Sequence, residues 1–122
     1  MKKLFLSFVL LMVLSSQVFA NDPFDTTDKA LFTASTIALV ADWSQTRYIA
    51  AHPDRFYEQN PILGRHPSKQ KVDLYFAGTI VGNYLIADAL PSRYRKLWLG
   101  GVLAIELLLV AHNKHIGIKF HF

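Results

Sequence analysis

A chain of 122 residues with 52% hydrophobic residues, no cysteine and a formal charge of +4 has room for one domain and little more. The lack of cysteine excludes disulfides, thiolate metal centres and cysteine nucleophiles. The small charge, of which Lys2 and Lys3 supply two, leaves +2 on the remainder with no long basic run, which excludes a nucleic-acid face.

Lys2 and Lys3, the apolar run from Leu4 to Leu14 and the small-residue site Val18-Phe19-Ala20 read as a signal peptide or leader helix over residues 1–20. Residues 21–122 then form a single helical membrane domain. Its first helix opens at Asp25, whose side chain caps free amides while Asp28 sits at the positive end of the dipole, and it runs over about 26–51. Those residues span about 37 Å, enough to cross a hydrocarbon core of about 30 Å. Three X-Pro steps, His52-Pro53, Asn60-Pro61 and His66-Pro67, hold the following loop out of helix.

Ser68 caps a second helix over about 69–90, stopped by Pro91, and Ser92 caps a third over about 93–113 before Gly117. Between Leu97 and Ala111 the only charge is Glu106, so the polar stripe expected of a water-exposed bundle helix is missing. The expected fold is all-α: a leader helix, then a three-helix transmembrane bundle, then a short extended tail. The tail, Ile116 to Phe122, alternates apolar and polar residues and lies along the bilayer surface or the bundle.

Retaining Lys2 and Lys3 in the cytoplasm puts the 52–71 loop there too, and its Arg55, Arg65, Lys69 and Lys71 obey the positive-inside rule. Arg93, Arg95 and Lys96 oppose that orientation. Gly78 and Gly82 make a small-xxx-small pair, and Ala34, Ala38, Asp42 and Thr46 recur every four residues on one face of the first helix. The two stripes are expected to pack together and carry Asp42 inward.

A carboxylate inside a span costs about 2.5–3.5 kcal/mol and therefore seeks a partner or a proton. Asp42 has Gln45 and Thr46 beside it, Asn83 on the second helix, and Glu106 and Asn113 on one face of the third. Glu58 and Asn60, in the rigid turn before Pro61, are aimed at the bundle mouth. These eight residues form the expected polar cluster. His52 and His66 read as turn residues, and His112 and His115 have helical metal spacing only if the helix persists past them.

Asp42-Trp43-Ser44-Gln45-Thr46 followed by Glu58-Gln59-Asn60-Pro61 resembles the pattern of an Asp, a nearby Thr and a Glu-x-Asn-Pro loop in uncharacterised small multi-span membrane proteins of bacteria. The resemblance covers about a third of the chain and implies a helical integral membrane fold without any assigned chemistry.

Three functions fit this reading. The first is a small inner-membrane accessory or structural protein that associates through helix packing, as a homo-oligomer or with a larger membrane partner. The second is an intramembrane enzyme using Asp42 and Glu58 with Glu106 or His112, with or without a divalent metal. The third is an oligomeric ion or solute carrier. Membrane lipid is the expected partner in all three, no metal site is specified by the spacing, and no cofactor is indicated.

Overall fold

The computed structural model describes residues 22–122, so the leader expected over residues 1–20 lies outside it. Three helices follow in chain order: α1 (Thr26–Ala51), α2 (Lys69–Ala89) and α3 (Ser92–His115). No strand occurs among the described residues. The central element is α1, which packs against both others and most extensively against α3, while α2 and α3 meet over a shorter stretch.

Local chemistry sets most of the boundaries. The Asp28 amide donates to Asp25 Oδ1 at 2.7 Å and the Asp25 amide donates to Asp28 Oδ2 at 3.1 Å, a reciprocal capping box that opens α1. His52 ends it, because a residue before proline is pushed out of helical geometry. Ser68 Oγ accepts the Lys71 amide and opens α2. Leu90, extended before Pro91, closes it.

The start of α3 differs from expectation. Pro91 holds the cap position, Ser92 is the first helical residue, and the Ser92 amide donates to Asp22 Oδ2 at 2.9 Å. The cap is thus supplied by a residue far away in sequence, and Ser92 Oγ is left to accept from Lys96. At the other end α3 runs past residue 113 to His115. It closes when Gly117, at φ +94°, lets the Ile118 amide reach Asn113 O and its own amide reach Lys114 O.

The long loop 52–68 joins α1 to α2 and only Leu90 and Pro91 join α2 to α3, and the start of α1, the end of α2 and the start of α3 share one end of the bundle. Arg95 organises that end. Its side chain is fully buried and donates to Asp28 Oδ2 at 3.0 Å and to the carbonyl oxygens of Ala87, Leu90, Asp22 and Pro23. Lys96 adds bonds to Asp25 and Asp28 at 2.8 and 2.9 Å. Burial alone would raise the Asp28 carboxyl, but the hydrogen bonds from Lys96, the Asp25 amide and Arg95 outweigh it and hold the group below the usual carboxylate range. These cations are therefore spent on carboxylates and carbonyls of the same end.

At the opposite end Arg47 Nη1 meets both oxygens of Asp73 at 2.6 Å, and Trp43 Nε1 donates to Asp73 Oδ1 at 2.7 Å. Arg47, and after it Trp43, hold the Asp73 carboxyl below its usual range. The tail folds back here rather than spreading away from the bundle. Ile118 is buried against Tyr48 and Ile49, the His121 amide donates to Ser44 Oγ, and the Phe122 ring lies edge-on to Trp43.

The apolar core is small: Leu39, Leu63, Val72 and Phe76, with Trp43 stacked on Phe76. The expected glycine contact is not made. Gly78 is exposed, and a Cβ added at Gly78 or Gly82 would meet nothing within 4 Å. The four-residue spacing is real, but it points outward; Ala38 is buried against other neighbours and Ala34 is half-buried.

Truncating Arg95 strands a buried carboxylate and several buried carbonyls, whereas Lys96 works at a partly exposed pair. Arg95→Met is therefore expected to lower unfolding stability by about 3–5 kcal/mol and Lys96→Met by about 1 kcal/mol or less. Thermal or denaturant unfolding of the two variants checks the order.

Candidate functional site

Polar side chains that would ordinarily face water line the inner side of α1. Ser35, Asp42, Ser44, Gln45 and Thr46 are all buried, and Asn83 of α2 is buried opposite them. The period of the helix explains the pattern: 35, 42 and 46 are separated by seven and four residues and fall on one face.

At the first level, Asn83 joins all three helices. Its Nδ2 donates to Ser35 Oγ at 3.2 Å, and its Oδ1 accepts from Trp98 Nε1 at 2.8 Å. Ser35 Oγ in turn donates to Phe32 O. At the level nearest the tail, Gln45 Nε2 donates to Val110 O at 3.0 Å and Gln45 Oε1 accepts from Asn113 Nδ2 at 3.2 Å, bridging α1 to α3.

Between these levels lies the carboxyl pair. The Asp42 and Glu106 carboxyls lie close to each other across the α1–α3 seam. Two ionised carboxylates have no proton to donate, so a hydrogen bond between these two groups needs a proton on one of them, and in that state the pair carries at most one negative charge. Thr46 Oγ1 donates to Asp42 O at 2.8 Å and lies 3.3 Å from Asp42 Oδ1; one hydroxyl proton cannot fully serve both, and the shorter bond to the carbonyl is the stronger. Glu106 Oε2 is buried without a hydrogen-bond partner among the described residues.

The loop approaches this pair through Tyr75. The Tyr75 hydroxyl lies near Asn60, Asp42 and Glu106, and Thr79 Oγ1 donates to the Tyr75 carbonyl oxygen at 2.8 Å. Asn60 is held by the turn around it: its Oδ1 accepts the Ile62 amide, and its carbonyl accepts the amides of Leu63 and Gly64, the latter at φ +80°. Leu63 is buried in the apolar core and anchors the turn. Glu58 Oε1 accepts the Asn60 amide and the Glu58 amide donates to Arg65 O, so Glu58 shapes the turn.

Seven of the eight residues expected to cluster lie along one seam, while Glu58 is used within the turn. Asp42, Thr46 and Glu106 meet directly, Asn60 reaches the same region through Tyr75, Gln45 and Asn113 pair one level away, and Asn83 belongs to the Ser35–Trp98 node. Sequence reasoning missed Tyr75, Trp98 and Ser35 as partners, and missed both ionic clamps. The antiparallel order of the three helices is a signal for the clamps, because it puts Asp28 beside Arg95 and Arg47 beside Asp73. His112 and His115 lie on the exposed side of α3, and no group of three or more His, Asp or Glu side chains able to hold a metal ion occurs among the described residues.

No protein-family model, curated protein or solved structure matches this chain.

The carboxyl pair has a direct consequence for substitution. Asp42→Asn leaves the buried Glu106 carboxyl a neutral amide to bond and is expected to cost less than about 1 kcal/mol, whereas Asp42→Leu leaves Glu106 without its partner and is expected to cost about 1–3 kcal/mol. Unfolding measurements on both variants separate a hydrogen-bonded pair from a merely adjacent one.

Proposed function

We propose that this chain is a small integral protein of the bacterial inner membrane, an accessory or structural component that associates with other membrane helices through its outer faces. The observation that carries the reading is the distribution of charge. Within the helices, every Asp, Glu, Lys and Arg except Asp42 and Glu106 lies toward one end or the other: Asp28, Lys29, Asp88, Arg93, Arg95 and Lys96 at the first end, and Arg47, Lys69, Lys71, Asp73 and Lys114 at the second. From Asp28 to Arg47 the helix rises about 28 Å, close to a hydrocarbon thickness of about 30 Å.

Between those layers the outward-facing residues are apolar almost without exception. Ile37 and Val40 on α1, Leu74, Val81 and Leu85 on α2, and Leu97, Ile105, Leu107, Leu108 and Leu109 on α3 are all exposed, Leu108 at 72%. An exposed apolar surface of this extent is expected to be covered by lipid or by another chain.

By hydropathy, no helix among the described residues is long and apolar enough to cross a membrane. In α1 and α2 the average is lowered by Ser35, Asp42, Ser44, Gln45, Thr46 and Asn83, side chains that are buried. A window average weighs inner and outer faces equally, whereas lipid meets only the outer one.

Two further features favour an associating role. The inward amides and hydroxyls of Ser35, Gln45, Asn83 and Asn113 bond to neighbouring helices or to their own backbone, as groups that fix register do. Gly78 and Gly101 face outward with nothing within 4 Å of an added Cβ, leaving smooth faces open to another backbone. The facing carboxyls of Asp42 and Glu106 favour a second reading, a proton-handling site within an oligomer. Orientation follows from the basic end: Arg47, Arg55, Arg65, Lys69, Lys71, Lys114 and Lys119 outweigh Lys29, Arg93, Arg95 and Lys96, which favours the loop and tail on the cytoplasmic side.

Alkaline carbonate or urea extraction of cell membranes tests the placement. The full chain is expected to stay in the pellet and to enter solution only with detergent, and release into the supernatant as a dissolved monomer contradicts it.

A further inference from the structure

The second end of the bundle is chemically unlike the first. At the first end Arg95 and Lys96 are occupied by Asp28, Asp25 and backbone carbonyls. At the second, Arg55, Arg65, Lys69, Lys71, Lys114 and Lys119 are all exposed. The acids on that face are fewer and partly engaged: Asp73 is taken by Arg47, Glu58 Oε1 accepts the Asn60 amide, and Asp54 is left. The face therefore carries a cationic excess that its own carboxylates do not cancel.

The same face exposes apolar side chains among the cations. Tyr57, Ile62, Phe120 and Phe122 are each more than half exposed. The Arg65 guanidinium lies 4.5 Å from the Tyr57 ring centroid and that of Arg55 lies 5.4 Å from Phe56, so these cations are positioned against rings rather than free in solvent. Their anchorage is firm, because Leu63 and Ile118 root the loop and the tail in the interior.

Cations interleaved with rings and aliphatic side chains match a surface that offers phosphate and hydrocarbon together. We infer that this end, formed by the 52–71 loop, the last turn of α3 and the tail, is a docking face for anionic phospholipid, with Arg55, Arg65, Lys69 and Lys71 meeting headgroup phosphates while Tyr57, Ile62 and Phe120 enter the interfacial region. The inference rests on the membrane reading above and adds the lipid class and the face that recognises it. A nucleic acid or an acidic protein would pair with the cations but would leave the aliphatic side chains uncovered.

The test uses the full chain in a neutral detergent, with its thermal-unfolding midpoint followed during titration with phosphatidylglycerol, with phosphatidylcholine of the same acyl chains, and with inorganic phosphate. The expected result is stabilisation by phosphatidylglycerol at concentrations about tenfold below those of phosphatidylcholine, with the difference shrinking as salt rises. The combined variant Arg55→Gln, Arg65→Gln, Lys69→Gln, Lys71→Gln is expected to lose the difference and keep the phosphatidylcholine response. Lys29→Gln with Arg93→Gln, at the other end, is expected to retain both. Should the fourfold variant not fold, the salt dependence of the unmodified chain gives the same answer. Equal responses to the two lipids overturn the inference while the membrane reading stands. A response to phosphate equal to that to phosphatidylglycerol overturns the lipid assignment in favour of a free-anion site. A chain that needs no detergent and answers to neither lipid overturns both readings.

Discussion

The constraint on which the structure depends is an exchange of solvents: the polar side chains of the helix interiors turn toward one another and the apolar ones turn out. Ser35, Asp42, Gln45, Thr46 and Asn83 are buried while Leu74, Leu97 and Leu108 are exposed. In water that arrangement would forgo most of the apolar burial that drives folding. Were lipid outside, as proposed above, the outward leucines would lose nothing, and the inward polar groups would find their partners chiefly within the bundle. The hydrogen-bond pattern agrees with that proposal, with Asn83 bonding two other helices, Gln45 spanning to Val110 and Asn113, and Asp42 facing Glu106.

The ends obey a different rule. At the two ends of the bundle the helices are fastened by charge. Arg95 is buried with every nitrogen engaged, which is the condition under which a buried guanidinium is tolerated. Because its acceptors come from the segment before α1, from α1 itself and from the end of α2, one side chain fixes the relative positions of three parts of the chain. At the far end the Arg47–Asp73–Trp43 contact ties α1 to α2, and the tail packs over it through Phe122. The polar seam between these fastenings sets helix register without relying on a large apolar core.

Helix limits were legible because their causes are local. Asp25 and Ser68 cap the amides that follow them, and His52-Pro53 and Leu90-Pro91 stop a helix whatever its surroundings. The start of α3 was misread for the complementary reason: its cap comes from Asp22, far off in the chain, and Pro91 rather than Ser92 holds the cap position. The face carrying Ala38, Asp42 and Thr46 was legible from spacing alone. Gly78 and Gly82 share an equally regular spacing, but spacing states which residues lie on one face and not which way that face turns, and theirs turns outward. Arg95 and Lys96 looked like free topogenic charges because their carboxylate partners stand on α1 and in the turn before it. Of the candidate site, Asp42 with Thr46 and Glu106 was visible as inward polar chemistry. Tyr75 was not, since an aromatic residue on an apolar helix gives no sign that the loop reaches it through Asn60.

The central claim is that Leu108 and its outward neighbours face hydrocarbon. Since the chain has no cysteine, Leu108→Cys gives a unique attachment point for a nitroxide. In reconstituted bilayers, relaxation of that label by dissolved oxygen should exceed relaxation by a water-soluble nickel chelate. The reverse order, with the chelate reaching the label freely, would contradict the account.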